Sequence, residues 1–184
     1  ALLALCLDRK IALVYATTGA DDDQLRRLEE ASQTIPVLRS PSMSPSVNLA
    51  MKLTQIAAKA LKDQDADVEI LERHHRYKVD APSGTARELI ESMGEAVGVD
   101  LVDDAVYGRP LGRHPREKGK VTFHAIRGGD TPSSHTVYFF GDGERLEITH
   151  HCLNWKGCAK GAVNACIWLA DKPIGLYGIR ESMG

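Results

Sequence analysis

The chain opens with an apolar-rich stretch over residues 1–10 that reads as the tail of a helix, followed by IALVYATTG (11–19). That second run is almost continuously apolar and ends in a turn, as expected for a strand of a parallel sheet covered on both faces. Asp21, Asp22 and Asp23 then open a short helix (DDDQLRRLEEAS), where negative charge favours the N-terminus. IPVLRS (35–40) reads as the next strand. Strand, helix and strand in so short a span is the rhythm of an open parallel α/β sheet.

PSMSPS (41–46) is a breaker-rich bend and a plausible boundary. The pattern beyond it predicts a long amphipathic helix with Leu49, Leu53, Ile56, Ala57, Ala60 and Leu61 on one stripe. DVEIL (67–71) is expected as a strand, and residues 72–84 as a polar loop. Ser83 is a candidate N-cap for TARELIESMGEAVG. Residues 103–120 read as a basic loop rich in Gly and Pro, and KVTFHAIR (120–127) as a half-exposed strand. HTVYFFGDGERLEITHH (135–151) predicts two strands joined at Gly-Asp-Gly. AKGAVNACIWLADK (159–172) is an apolar-striped helix, ended by Pro173 and Gly175. The expected fold class is α/β plus α+β: a parallel-sheet α/β portion, then a mixed-sheet α+β portion, then a closing helix. The expected boundaries are 1–44, 45–155 and 156–184, the last a closing helix and tail that return to the first domain.

Composition narrows the function classes. The chain is 43% hydrophobic and 26% charged with a net charge of −2, which suits a globular core and gives no bulk attraction for nucleic acid or anionic membrane. No apolar run is long enough for a membrane span. The four cysteines form no C-x-x-C pair and read as reduced, mostly buried thiols of a cytoplasmic protein.

The densest chemistry lies between Glu72 and Thr85, where two imidazoles and three cations precede a helix start. Lys78 and Arg76 supply charge, and the N–H groups of Gly84 and Thr85 would point from the helix start toward a carboxylate. Such a site suits a small dianion. A His beside these cations should have its charged form disfavoured, which suits proton transfer near neutral pH. The pairs His74-His75 and His150-His151 raise a metal site, but neighbours along a strand face opposite ways and rarely chelate one ion. No metal is expected. Arg109, Arg113, His114 and Arg116 form a basic loop that is either solvated or in touch with a cofactor phosphate.

The run Glu72–Ala86 meets every fixed position of E-x-H-H-R-x-K-x-D-A-P-S-G-T-A, and so resembles the signature of the dihydrodipicolinate reductase (4-hydroxy-tetrahydrodipicolinate reductase) family. GDTPSSHTVYFFGDGERLEITH (129–150) is similar to the family's G-D-x-x-G-E-H-T…G-E-R-L-E-I-T-H segment. Tyr107 to Arg109 and the Gly-Ala-Val of the last helix fall in the family order. The resemblance implies hydride transfer from NADPH or NADH to a small cyclic, unsaturated dicarboxylate in lysine and diaminopimelate biosynthesis, by a cytoplasmic homotetramer. It implies that residues 1–44 are part of a Rossmann-type sheet and that residues 45–155 are a substrate-binding and oligomerisation domain. It implies that His74 is proton donor and acceptor. Lys78 would be a second proton donor whose charge also holds a carboxylate, and His75, Gly84 and Thr85 would bind substrate.

On the cofactor side, ATTG (16–19) resembles the family's G-T-T-G turn, so Ala16, Thr17 and Thr18 would line the nicotinamide end. The family's A-x-N-F-S bend corresponds to Ser40, Pro41, Ser42, Met43 and Ser44, with Ser for Asn and Met for Phe. Where the family has S-R-x-x-F-A-x-G-A, Trp155 stands at the Arg position and Lys156 could supply the charge. The family's Gly-rich phosphate loop is not part of this sequence, so the chain is expected to be a truncated reductase. Two other readings stay open: a non-catalytic dicarboxylate-binding or assembly module, and a reductase for a related cyclic imine.

Overall fold

The computed structural model describes residues 1–17 and 20–183. In chain order the first elements are α1 (Leu2–Arg9), β1 (Leu13–Tyr15), α2 (Asp22–Ala31), β2 (Pro36–Arg39), α3 (Pro45–Leu61) and β3 (Asp67–His74). There follow α4 (Gly84–Val97), β4 (Val106–Tyr107), β5 (Val121–Arg127), β6 (Ser133–Gly141), β7 (Glu144–Cys152), α5 (Lys156–Leu169), β8 (Gly175–Gly178) and a 3-10 turn (Ile179–Met183). They form two compact units, Ala1–Asn48 with Trp155–Gly184, and Leu49–Asn154. The first is an α/β layer around a parallel sheet and the second an α+β layer around a mixed one.

In the first unit the sheet runs β1-β2-β8, all parallel. Its centre shows why the sequence carries an unbroken apolar run. Val37 and Leu38 are both fully buried, yet successive strand residues face opposite ways. Val37 packs with Cys6, Leu28 and Ala31 of α1 and α2. Leu38 packs with Met43 and with Ala165 and Leu169 of α5. Helices therefore cover both faces. Asp21 caps α2, its carboxylate accepting the Gln24 N–H at 2.8 Å. Gly161 of α5 lies so close to the 40–44 bend that a Cβ there would meet the Met43 carbonyl oxygen at 1.8 Å. Only glycine fits.

In the second unit the sheet runs β4-β5-β3-β6-β7, with β3 parallel to β5 and antiparallel to β6. A two-residue turn, Asp142-Gly143, joins β6 to β7. Met93, Val121 and Phe139 are buried and, with Ala58 of α3, line one pocket on the helix-covered face of this sheet. The opposite face carries Leu71, Tyr138 and Phe140 beside a polar group around Glu69. Gly98 ends α4 in the left-handed region at φ +77°, its N–H returning to the Gly94 carbonyl at 2.8 Å.

Several expectations need correction. β3 continues three residues past Leu71, because Glu72 and His74 stay on its buried face in strict alternation with Ile70. Residues 106–107 form the short strand β4, and 175–178 form β8, where the apolar pattern is too short to read. The buried stripe of α3 is Val47, Met51, Thr54, Ala57 and Ala58, whereas Leu49, Leu53 and Ile56 are about half exposed. Of the four free cysteines only Cys6 is buried, and Cys166 is exposed.

Candidate active site

The strand β3 delivers Glu72 and His74 to one end of the second unit, and the turn after it leads straight to the start of α4. Glu72 is completely buried. Its Oε1 accepts the Ser83 N–H at 3.1 Å and the Arg127 Nη2–H at 2.7 Å. Its Oε2 stands 3.0 Å from Nδ1 of His74, itself buried. Strand register explains the convergence: His74 pairs with Arg127 on β5, and Glu72 pairs with His135 on β6. Burial alone would raise the Glu72 pKa, but the close approach of His74 and the hydrogen bonds from Arg127 and Ser83 outweigh it and hold the carboxyl at about 2.

His135 is the second imidazole of the group. Its ring meets that of His74 edge-on at 5.2 Å between centroids, and its Nε2 lies 3.0 Å from the Ser83 hydroxyl. Burial, reinforced by the charges of His74, His150 and Lys78 against the pull of Glu72, lowers its pKa to about 3. His135 is therefore neutral at physiological pH. Ser83 is the N-cap of α4, its Oγ accepting the Ala86 N–H at 3.3 Å. That leaves the N–H groups of Gly84 (exposed) and Thr85 (half-buried) at the helix start without an acceptor among the described residues, where the helix dipole favours an anion.

Lys78 is about one-fifth exposed and pairs with Asp80 at 2.8 Å, which keeps Asp80 below its ordinary pKa. An ammonium has three donors, so two remain for a ligand. His75 is half-buried beside Tyr77, with ring centroids 6.3 Å apart. Arg127, whose Nη2 also donates to the Asp80 carbonyl at 2.7 Å, ties the turn to β5. Neither Arg127 nor His135 stands out in the sequence, because strand pairing brings them in from 55 and 63 positions away from Glu72. The i, i+2 spacing of Glu72 and His74 is the one signal that could have joined these two to a common face.

Glu72, His74 and His135 offer ligand atoms within 4.8 Å of one another. Arg127 and the Ser83 amide already occupy the Glu72 carboxylate, and the Ser83 hydroxyl faces His135. A cation would have to displace these partners and sit beside a guanidinium. His150 is half-buried and lowered in pKa by burial and then by His151, which is exposed. Arg109 and Arg116 both pair with Glu69, and Arg116 also pairs with Asp67 at 2.7 Å. These two arginines are committed to the sheet.

In the first unit, Ala16 and Thr17 are exposed just beyond the carboxyl end of β1. Ser40 follows β2 alongside them, its N–H donating to the Tyr15 carbonyl at 3.1 Å. The Ser42 carbonyl accepts from the Ser40 hydroxyl at 2.8 Å and from Asn48 Nδ2 at 2.9 Å. Pro41 is exposed, while Met43 is turned into the core. Thr18 lies outside the described residues.

Residues 46–183 match the family description "Dihydrodipicolinate reductase, C-terminus", and residues 1–43 match "Dihydrodipicolinate reductase, N-terminus". The chain belongs to the dihydrodipicolinate reductase family. Among its relatives is the 4-hydroxy-tetrahydrodipicolinate reductase of Acinetobacter baumannii (strain AYE), 41% identical over 99% of this chain and 66% of the relative. The enzyme of the same name from Hahella chejuensis is 46% identical over 100% of this chain and 68% of the relative. The solved structure of a dipicolinate-bound dihydrodipicolinate reductase from Paenisporosarcina sp. TG-14 superposes with a TM-score of 0.73. It is 25% identical, over 98% of this chain and 68% of that one. The chain thus spans 66% of the length of the first of these dihydrodipicolinate reductases. The Glu72–His74–His135 group falls within the family's C-terminal region, and residues 16–17 and 40–43 within its N-terminal region.

Proposed function

We propose that these residues serve the reduction of dihydrodipicolinate, or its 4-hydroxy precursor, to tetrahydrodipicolinate with NADPH or NADH, in lysine and diaminopimelate biosynthesis. The observation that carries this reading is a buried His74–Glu72 pair beside a helix start with two unoccupied N–H donors and the Lys78 ammonium. A ring with two carboxylates needs such an arrangement, because each anionic group leaves water on binding and must find donors. Gly84, Thr85 and His75 hold one carboxylate and Lys78 the other. His74 delivers a proton to the ring carbon next to the one that is reduced, so that no carbanion accumulates. Lys78 is a second proton source.

A reduced nicotinamide supplies the two electrons as hydride. Ala16, Thr17, Ser40, Pro41 and Ser42 would hold its nicotinamide end, since they gather at the carboxyl ends of two adjacent parallel strands, the usual ligand position of such sheets. Met43 would act through its backbone, its side chain being in the core. Thr18 would join them. The sequence holds no Gly-rich phosphate loop, so the residues present suit one end of the cofactor and not its pyrophosphate. Residues 1–43 of the first unit match the N-terminal region of the family.

Among the described residues no helix is long and apolar enough to cross a membrane, and we place the protein in the cytoplasm. The sheet face bearing Leu71, Ile126, Tyr138 and Phe140 is only partly covered, which supports a homotetramer assembled sheet to sheet. Sedimentation at micromolar concentration tests this, and a monomer would refute it.

The function is tested by calorimetric titration with pyridine-2,6-dicarboxylate, a planar mimic of the ring, alongside turnover with NADPH. The dicarboxylate should bind the wild-type chain and not Lys78→Ala. His74→Ala should lower turnover far more than binding, whereas Lys78→Ala should weaken both. Equal and small effects of the two changes would sink the assignment. Binding without turnover in a chain joined to a Gly-rich phosphate loop would favour the non-catalytic module.

A further inference from the structure

The Lys78 ammonium and the start of α4, the two groups proposed to hold the ligand's carboxylates, lie in sequence on either side of the short span Asp80–Ser83. Their spacing is only as definite as that span. The near side of the turn is fastened by backbone. The Gly128 N–H donates to the His74 carbonyl at 3.0 Å, the Arg76 N–H to the Gly129 carbonyl at 3.1 Å and the Lys78 N–H to the His75 carbonyl at 3.2 Å. The far side is fastened through side chains, with Arg127 of β5 at their centre. Its Nη2 donates to Glu72 Oε1 at 2.7 Å and to the Asp80 carbonyl at 2.7 Å. The same Oε1 accepts the Ser83 N–H at 3.1 Å. One nitrogen thus reaches Asp80 directly and Ser83 through a single carboxylate oxygen. Each end of the span then leads to an anion holder: the Asp80 carboxylate pairs with the Lys78 ammonium at 2.8 Å, and Ser83 caps α4.

We infer that Arg127 is a positioning residue that sets the distance between these two holders, and thereby the preference of the site for a dicarboxylate over a monocarboxylate. The inference rests on the proposed assignment of one carboxylate to Lys78 and the other to the α4 start with His75. A guanidinium present only to neutralise the buried Glu72 would direct its hydrogens at the carboxylate. Here a hydrogen of the same Nη2 goes instead to a backbone carbonyl, which carries no net charge. The planar nitrogen holds its two hydrogens in fixed directions, so moving the span along β3 breaks one of the two bonds. A lysine ends one bond short of that nitrogen, and its ammonium imposes no plane. A ligand with two carboxylates gains from the second holder only where that holder already stands at the matching distance, because the second contact is intramolecular. A ligand with one carboxylate has no such requirement. Arg127 in this role acts through Lys78 and α4 and not by touching the ligand.

The experiment titrates the whole chain with pyridine-2,6-dicarboxylate and with pyridine-2-carboxylate, read by NMR shifts so that weak affinities are covered, in wild type, Arg127→Lys and Arg127→Gln. Wild type should bind the dicarboxylate more tightly. In Arg127→Lys its affinity should fall about tenfold or more, while that for the monocarboxylate stays within about threefold of wild type. Arg127→Gln should behave alike. The Lys variant keeps a positive charge beside Glu72, so it answers the question even where loss of that charge disturbs folding. An unchanged preference in Arg127→Lys would overturn the inference. Loss of both affinities in step would overturn it too, by showing a merely structural role. Exchange of the Ser83 amide hydrogen, followed without ligand, should quicken about tenfold or more in Arg127→Lys as the span loosens, and an unchanged rate would refute the pinning. A wild-type chain that binds neither acid, or both equally, would instead sink the functional reading, and the exchange measurement depends on neither.

Discussion

Acid should unfold the wild-type protein more readily than a Glu72→Gln variant loses its own stability over the same range. The Glu72 carboxyl ionises at about 2 in the native chain against an ordinary 4.5. An ionised group so favoured stabilises the fold by about 3.4 kcal/mol at neutral pH. Because the native pKa is the lower one, this contribution is complete above the unfolded value and declines as pH falls toward the native value. By linkage it is about 3 kcal/mol at pH 4.5 and about 1.4 kcal/mol at pH 3, so about 2 kcal/mol disappears between pH 7 and pH 3. The variant has no carboxyl at this position and lacks that component, although leaving Arg127 without its carboxylate makes it less stable at pH 7. Glu69 and Asp80, also held below their ordinary values by their cationic partners, are common to both proteins and drop out of the comparison. The assay is urea unfolding followed by far-UV circular dichroism at several pH values between 7 and 3. Wild type should lose about 2 kcal/mol more than the variant across that interval. Parallel pH profiles, with a difference below about 0.5 kcal/mol, would refute the picture of a carboxylate clamped by Arg127, Ser83 and His74.

Two further outcomes follow from the packing. Gly161→Ala should destabilise the first unit by about 2 kcal/mol or more, since the added Cβ meets a backbone oxygen and not a movable side chain; a thermal midpoint equal to wild type would contradict this close approach. His135 should keep the signals of a neutral ring down to about pH 4 in a two-dimensional 1H–13C titration, because its pKa is lowered to about 3, and a midpoint above pH 5 would show that the ring is hydrated.

The sequence was most informative where one element carries its own pattern. The apolar runs around Val14 and Val37, the aspartates before α2, Ser83 before α4 and the Asp142-Gly143 turn each mark their element locally. It was least informative where partners are distant. The strand β8 has only four residues and is recognisable only because it lies beside β2. The buried face of α3 departs from the leucine pattern, because Val47, Met51 and the polar Thr54 are buried while Leu49, Leu53 and Ile56 are exposed. In the site, His74, Lys78, Gly84 and Thr85 lie within one contiguous signature. Arg127 and His135 entered only through the registers of β5 and β6 on β3.

The first unit is written in two pieces, residues 1–48 and 155–184, with the whole of the second unit between them. Synthesis on a ribosome proceeds from one end, so β3 to β7 can pair while β8 and α5 are still unmade. During that interval β2 has an open edge, and Leu38 and Met43 lack the cover of Ala165, Leu169 and Ile179. The long loop itself adds little to the closing entropy, which grows only with the logarithm of its length. The exposure of an unpaired strand edge is the greater hazard. A nascent chain therefore carries a finished unit and a half-built one, and the order of manufacture makes residues 155–184 the step that protects residues 1–48.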